Sequence, residues 1–527
     1  MNRKLGFGVG VCAACVAAVV SAQETVRGTA VPDLSAHILT PPAGAAPRFN
    51  GARVFGVRPG SPIQYTLAVS GQRPMTFAAE GLPDGATFDA ERGMIGGAVK
   101  EAGTYRVRLT AKNAAGVAER EWRLVVGSTF ALTPPMGCNT WGGLGPTVSE
   151  KGVRASAQAL VDKGLVNYGY CYVNIDDGWQ GERGGPLNAI QPNEKFGDMK
   201  KLCDDLHAMG LKVGNYSTPW KTSYVGLTGG GSDHADGTWE KLPRGTGKGW
   251  AHGAYRFEIN DARQAAAWGI DYFKYDWKID SVAIAKAMGD ALLAQSRDIV
   301  YELSNAAPFS DAEAYTAIGT MTRTDDDLVD VWCKTQLDAG KQKWAVGVRD
   351  LWLTHRKWRA FNRPGHWNMP CPLRVGLLGG WDNKPLTPSR LTVDEQYSHI
   401  SLWALWAAPL IIGAPIDTLD AFTLSLLTNS EVIDVNQDPL GVQAEEFEVA
   451  GGEVLVKRME DGTVAVGLFN PGEARSDVTV TWAQAGVKGK QRVRDLWRQK
   501  DLGVFEGCFT APAVSPHGVT LVRLFPH

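Results

Sequence analysis

Lys274 and Asp276 stand two residues apart in the run GIDYFKYDWK, residues 269–278. In a strand, residues two apart share a face, so this ammonium and this carboxylate point the same way. Such a carboxylate can serve as nucleophile or base, or the two groups can simply form an ion pair closing a strand end. Comparable residues recur along the chain: Trp141, Asp176-Asp177 before Trp179, Tyr216, Ser304, and Arg323 followed by Asp325-Asp326-Asp327. Each follows a short apolar run, at what would be the C-terminal end of a strand. Gathered at one mouth, they would supply several carboxylates, two cations and stacking aromatics. Glycoside hydrolysis uses that set: a carboxylate to attack or to activate water, a protonated carboxyl for the leaving group, and polar groups for hydroxyls. The chain also carries 18 Trp, whose flat faces suit sugar rings as well as cores.

The elements that must position these residues alternate in type. Apolar strands are predicted at MGCNTW, YCYVNIDDGW, LKVGNYS, IDYFKYD, DIVYELS and TMTRT, with helices over about 153–163, 199–209, 262–268 and 283–295 between them. This predicts a parallel α/β domain over residues 130–441, with eight such units closing a (β/α)8 TIM barrel whose active site lies at the strands' C-terminal ends. A doubly wound dinucleotide fold is the competitor, but no GxGxxG joins a strand to a helix.

The flanks differ in texture. Arg3 and Lys4 precede an apolar run from Leu5 to Val20, and small residues lead to a cut before Gln23, so residues 1–22 read as a secretory signal peptide. The expected product is an exported, periplasmic or secreted protein with no membrane association after cleavage, since no later run reaches the length a spanning helix needs. Residues 23–48 read as a Pro-, Ala- and Thr-rich linker, and 49–127 as an Ig-like β-sandwich with strands at Gln64–Val69 and Thr104–Leu109. Residues 442–527 read as an antiparallel β domain. Net charge is −2, which gives no reason to expect nucleic acid as a partner. Six cysteines follow the signal, none in zinc-ligand spacing, and no residue set completes a metal site around Asp176-Asp177, so no cofactor or metal is expected. Disulfide pairing and oligomeric state are open.

TPPMGCNTW, YVNIDDGWQ, FKYDWK, RTDDDLVDVW and VNQDPLG resemble, in order and spacing, the motifs of glycoside hydrolase family 27, the α-galactosidases and α-N-acetylgalactosaminidases. The stretch FAAEGLPDGATFDAERGMIGGAVKEAGTYRVRLTAKNAAG resembles an immunoglobulin-like module fused to bacterial exported enzymes. The first resemblance implies a retaining α-glycosidase acting on a carbohydrate substrate. Asp276 falls on the family nucleophile and Asp327 on its acid/base, while Trp141, Asp176, Asp177, Tyr216, Lys274 and Arg323 match sugar-binding positions. On that basis Lys274 is expected to lower Asp276, and like-charge repulsion from Asp176, Asp177, Asp325 and Asp326 to raise Asp327. The two carboxyls should lie about 5 to 5.5 Å apart.

Several features depart from the family pattern. Ser304 and Ala307 occupy positions where galactose-specific animal members carry Glu and Leu, and where their N-acetylgalactosaminidase relatives carry Ser and Ala. Glu302 lies two residues earlier on the same face, so a shifted register would return an acid to the pocket. Met369 and Cys371 replace the two acids of a WNDPDM motif, and Lys278 stands where a disulfide cysteine often follows the nucleophile. The connection from Ser217 to Arg256, with Trp220, Tyr224, His234, Trp239, Trp250 and His252, is long enough to form a lid or leaving-group subsite. β-L-arabinopyranosides and isomaltosyl units remain open as substrates, and a carbohydrate-binding protein without activity is the non-enzyme alternative.

Overall fold

The computed structural model describes residues 31–242, 247–337, 344–379 and 385–527. The expected signal peptide and residues 23–30 lie outside the described residues. The rest of the expected linker is anchored. Leu39 N donates to the Tyr397 hydroxyl at 3.0 Å, that hydroxyl donates to the His37 carbonyl at 2.9 Å, and Thr40 Oγ1 donates to the Ser425 carbonyl at 2.9 Å. Leu34, Ile38 and Leu39 pack against the barrel core, a few apolar contacts that composition hides.

An Ig-like sandwich follows. One sheet orders Val54–Val57, Gly116–Val126, Gly103–Asn113 and Thr76–Glu80; the other orders Tyr65–Thr66, Met94–Gly97 and Ala86–Asp89. Val107, Leu109, Ala111, Trp122, Leu124 and Val126 alternate inward along the long hairpin and form the sandwich core. The expected strand Gln64–Val69 is broken in two: Tyr65 pairs with Ile95, whereas Val69 pairs with Phe49. Arg58 fixes the sandwich to the barrel's N-terminal end by donating to Asp298 and to the carbonyls of Gln295 and Arg297 at 3.0 and 2.8 Å.

The barrel strands are β1 Met136–Asn139, β2 Tyr172–Asn174, β3 Lys212–Ser217, β4 Tyr272–Asp276, β5 Val300–Ser304, β6 Met321–Arg323, β7 Trp367–Met369 and β8 Leu410–Ile412. All are parallel, in the order β7-β6-β5-β4-β3-β2-β1-β8. The ring closes just past β7, where Leu373 bridges Ile412 and donates its amide to the Ile411 carbonyl at 2.7 Å. Among the described residues, seven helices of at least seven residues alternate with the eight strands: α1 Glu150–Asp162, α2 Met199–Ala208, α3 Glu258–Trp268, α4 Val282–Leu293, α5 Ala312–Ile318, α6 Val348–His355 and α7 Val393–Leu405. Gly269, at φ 92°, ends α3 in the left-handed conformation that glycine adopts without steric cost and turns the chain into β4.

Period-two alternation sorts the strand residues. Phe273, Tyr275, Tyr301 and Leu303 face the helices in the main core. Tyr172, Tyr272, Val300, Met321, Trp367 and Met369 fill the lower interior. Lys274 and Asp276 continue the inward row of β4 above Tyr272. The C-terminal domain packs a six-stranded antiparallel sheet with a two-stranded one, Ser476–Thr481 and Cys508–Val514.

Candidate active site

The inward rows bring most of the sequence-predicted residues to one mouth. Lys274 Nζ lies 2.9 Å from Asp176 Oδ2 and 3.5 Å from Asp276 Oδ2, and 5.1 Å from the centre of the Tyr216 ring. The register β3–β4–β5 sets this up, with Tyr216 opposite Lys274 and Asp276 opposite Ser304. Asp176 and Asp276 are 3% and 6% exposed, so the ammonium between them answers two buried carboxylates. Arg323, at the end of β6, reaches Asp327 Oδ1 at 3.1 Å and the carbonyls of Asp325 and Asp326, which singles out Asp327 among the three carboxylates. Trp141 opens a short helix after β1, its amide donating to Asn139 Oδ1 at 2.8 Å. Asp276 Oδ1, the Tyr216 hydroxyl and Arg323 Nε are buried without a hydrogen-bond partner among the described residues. Buried polar atoms are rarely left so, and three at one mouth mark a place built for a polar ligand.

Asp177 is held from three sides. Gln180 Nε2 donates to Oδ1 at 3.1 Å and Val225 N to Oδ2 at 2.9 Å, and Ser223 adds a side-chain hydrogen bond. Burial nevertheless pushes its carboxyl up to about 7. Glu302 does not enter the mouth. It pairs with Lys274 in register one layer below Ser304, where the Tyr272 hydroxyl donates to it, so the expected alternative register is not adopted. Ser304 is fully buried beside Asp276 and donates to Asn305 Oδ1 at 3.2 Å.

The net direction of each carboxyl is opposite to the one expected, although Lys274 does act to lower Asp276 as expected. Burial raises Asp276 above the ordinary range, and Lys274 offsets this only in part because it is shared with Asp176. Asp327 feels a raising effect of enclosure, but its side chain is 43% exposed and the cations Arg323, Lys274 and Arg374 hold it below the ordinary range. The sequence counted carboxylates at this mouth and undercounted cations. Arg374 enters only because the chain past β7 closes the barrel, where it also donates to the Leu328 carbonyl at 2.9 Å.

Other residues escaped the sequence reading. Asn139 Nδ2 donates to Asp176 Oδ2 at 2.7 Å; as an inward residue of β1 it was accessible to the same period-two argument. Cys371, in place of an acid, is buried and accepts the Leu328 amide at 3.3 Å. All six described cysteines are unpaired, so no disulfide braces the mouth. Among the described residues no group of three His, Cys, Asp or Glu side chains is placed to hold a metal ion. No described helix is long and apolar enough to cross a membrane.

Family comparison agrees with this architecture. Residues 138–238 and 231–438 match the melibiase family described as "Alpha galactosidase A", residues 450–524 match "Alpha galactosidase C-terminal beta sandwich domain", and residues 46–127 match "Putative Ig domain". The chain is 32% identical to alpha-galactosidase 2 of Arabidopsis thaliana over 412 residues, covering 76% of this chain and 92% of that one. It is 30% identical to alpha-galactosidase A of Cellvibrio japonicus, over 75% of this chain and 93% of the relative. A crystal structure of a "putative alpha-galactosidase" from Bacteroides fragilis superposes with a TM-score of 0.79 at 29% identity, covering 92% of this chain and 98% of that one. A family 27 β-L-arabinopyranosidase from Geobacillus stearothermophilus superposes with a TM-score of 0.62 at 26% identity, covering 75% and 97%.

Proposed function

The chain belongs to the melibiase family, glycoside hydrolase family 27, and from that premise we propose that it is a retaining, exo-acting α-galactosidase releasing terminal α-D-galactosyl residues. The observation that carries the reading is the convergence of Asp176, Lys274, Asp276, Arg323 and Asp327 at the barrel mouth. Asp276, with one carboxylate oxygen held near Lys274 and the other unpartnered, attacks the anomeric carbon and displaces the leaving group. Asp327 protonates the departing oxygen, then takes a proton from the water that cleaves the glycosyl-enzyme, so two inversions retain configuration. Asp176, Asp177, Lys274 and Arg323 hold the sugar hydroxyls, and Trp141 and Tyr216 offer apolar faces. In the free protein Arg323 keeps Asp327 ionised, so its acid role requires the bound sugar to exclude water and draw hydrogen bonds from Arg323.

A second reading, α-N-acetylgalactosaminidase, is favoured by one observation: the observed register sets Ser304 rather than Glu302 beside Asp276, leaving small residues where an N-acetyl group would need room. Residues 1–22 are read as an export signal. The test is hydrolysis of p-nitrophenyl α-galactoside and p-nitrophenyl α-N-acetylgalactosaminide by residues 23–527, with Asp276→Asn as blank. Release from the galactoside, lost in the blank, is the expected result; release only from the acetylated sugar selects the second reading, and release from neither overturns both.

A further inference from the structure

The long connection after β3 is folded back on itself and tied to the site at both ends. Trp220 bridges His252, Thr222 bridges Thr228, and Gly231–Ser232 pairs with Tyr255–Arg256. Val225 N donates to Asp177, as already described. At the other end His252 Nε2 lies 3.4 Å from Asp280 Oδ1, which also accepts the indole N–H of Trp277, the residue after Asp276, at 3.3 Å. Inside the segment, Trp220 and Trp250 stack at 5.9 Å between centroids, and Trp250 Nε1 donates to the Ser223 carbonyl at 3.3 Å. Tyr224 sets its ring edge-on to both indoles, at 5.1 and 5.0 Å.

The Tyr224 hydroxyl therefore has a fixed position. It hydrogen-bonds with the Asn305 side chain, and it lies close enough to Asp276, Asp327 and Lys274 to feel their charges. Asn305 Oδ1 already accepts from Ser304 Oγ at 3.2 Å, and the Asn305 side chain acts to lower the phenol, as an amide N–H directed at the phenol oxygen does. The phenol oxygen then accepts, and its own proton is left to donate into the mouth. Burial and the adjacent carboxylates raise the phenol above its ordinary value, which keeps that proton in place at any working pH.

We propose that Tyr224 is a specificity-determining residue whose hydroxyl, turned by the Ser304–Asn305 pair and braced by Trp220 and Trp250, donates to an oxygen of a saccharide leaving group. This inference rests on the glycosidase reading of the mouth. A saccharide leaving group has hydroxyls and a ring oxygen beside the scissile bond to accept that proton. An aryl leaving group such as p-nitrophenol offers none there and departs readily without help.

The test compares kcat/KM on p-nitrophenyl α-galactoside and on a galactosyl-α-1,6-glucose disaccharide for the parent protein and Tyr224→Phe, which keeps the ring and its packing. The expected result is about a 10-fold loss on the disaccharide and less than about 2-fold on the aryl glycoside, as befits one neutral hydrogen bond. Equal losses on both substrates, or no loss on the disaccharide, overturn the proposal while leaving the glycosidase reading intact. A parent protein inert on both substrates overturns that reading and this inference with it. If Tyr224→Phe does not fold, Asn305→Leu removes the amide that turns the phenol and is expected to show the same selective loss.

Discussion

Replacing Lys274 by Met removes the cation shared by two buried carboxylates, and the structure says how the enzyme should respond. Lys274 Nζ stands 3.5 Å from Asp276 and 2.9 Å from Asp176. At 3.5 Å the attraction of unit charges is about 5 kcal/mol for an effective dielectric near 20, and an opposite charge this close lowers a carboxyl by ~1–3 pH units. Asp276 is already raised by burial, so losing Lys274 lifts it further. The nucleophile must be ionised, so activity falls wherever the pH lies below its pKa. The acid limb of kcat/KM against pH should therefore move up by ~1–3 pH units in Lys274→Met, with the alkaline limb less affected. Breaking the buried network should also cost about 3–5 kcal/mol of stability, visible as a lower thermal midpoint. Asp176→Asn is the control: it leaves Lys274 to Asp276 alone and should move the acid limb the other way. An acid limb that stays in place in Lys274→Met would refute the claim that this ammonium tunes Asp276.

Asp276→Asn and Asp327→Asn should each reduce turnover at least about 1000-fold on an alkyl galactoside while leaving the thermal midpoint within a few degrees; a variant above a tenth of parent activity removes that residue from the pair. Lys457 is fully buried, its ammonium has no hydrogen-bond partner among the described residues, and burial pushes it down to about 8, against ~10.4 in the unfolded chain. A group depressed in the fold destabilises it by about 3 kcal/mol at pH 7, and the penalty fades as pH rises from 8 through 10.4, so Lys457→Met should raise the melting temperature at pH 7 and gain little at pH 10.5. Arg58→Ala should weaken the sandwich–barrel contact by about 2 kcal/mol and lower the thermal midpoint without changing kcat, and a changed kcat would show that the contact reaches the mouth.

Much of this was legible in the sequence because period-two alternation is local. The first six barrel strands fall within the predicted runs, and Lys274 and Asp276 share a face as their spacing requires. β8 was missed because Leu410–Ile412 is a three-residue apolar run with no charged residue at its end to mark it. The anchoring of residues 34–40 was missed for a related reason: it depends on Tyr397 and Ser425, more than 350 residues away. The broken strand at Gln64–Val69 shows the limit of alternation itself, since the break at Leu67 and Ala68 lets the two halves pair with different partners. The carboxyl pair was misjudged because a charge count at strand ends omits both burial and the cation that barrel closure supplies.

That misjudgement bears on how the site can work. A general acid must carry its proton before the leaving oxygen needs it, yet in the free protein Arg323 pairs directly with Asp327 and favours its ionised form. The side chain of Asp327 is also far more open to water than Asp176, Asp177 or Asp276. Filling the mouth with a sugar changes Asp327 more than it changes Asp276. The sugar excludes water from a half-exposed carboxyl, and its hydroxyls compete for a guanidinium whose Nε is still unpartnered. Both effects raise Asp327, while Asp276 keeps its ammonium throughout. The difference in exposure between the two carboxyls therefore assigns their roles: the buried one beside a fixed cation is suited to attack, and the open one to gain its proton when substrate arrives.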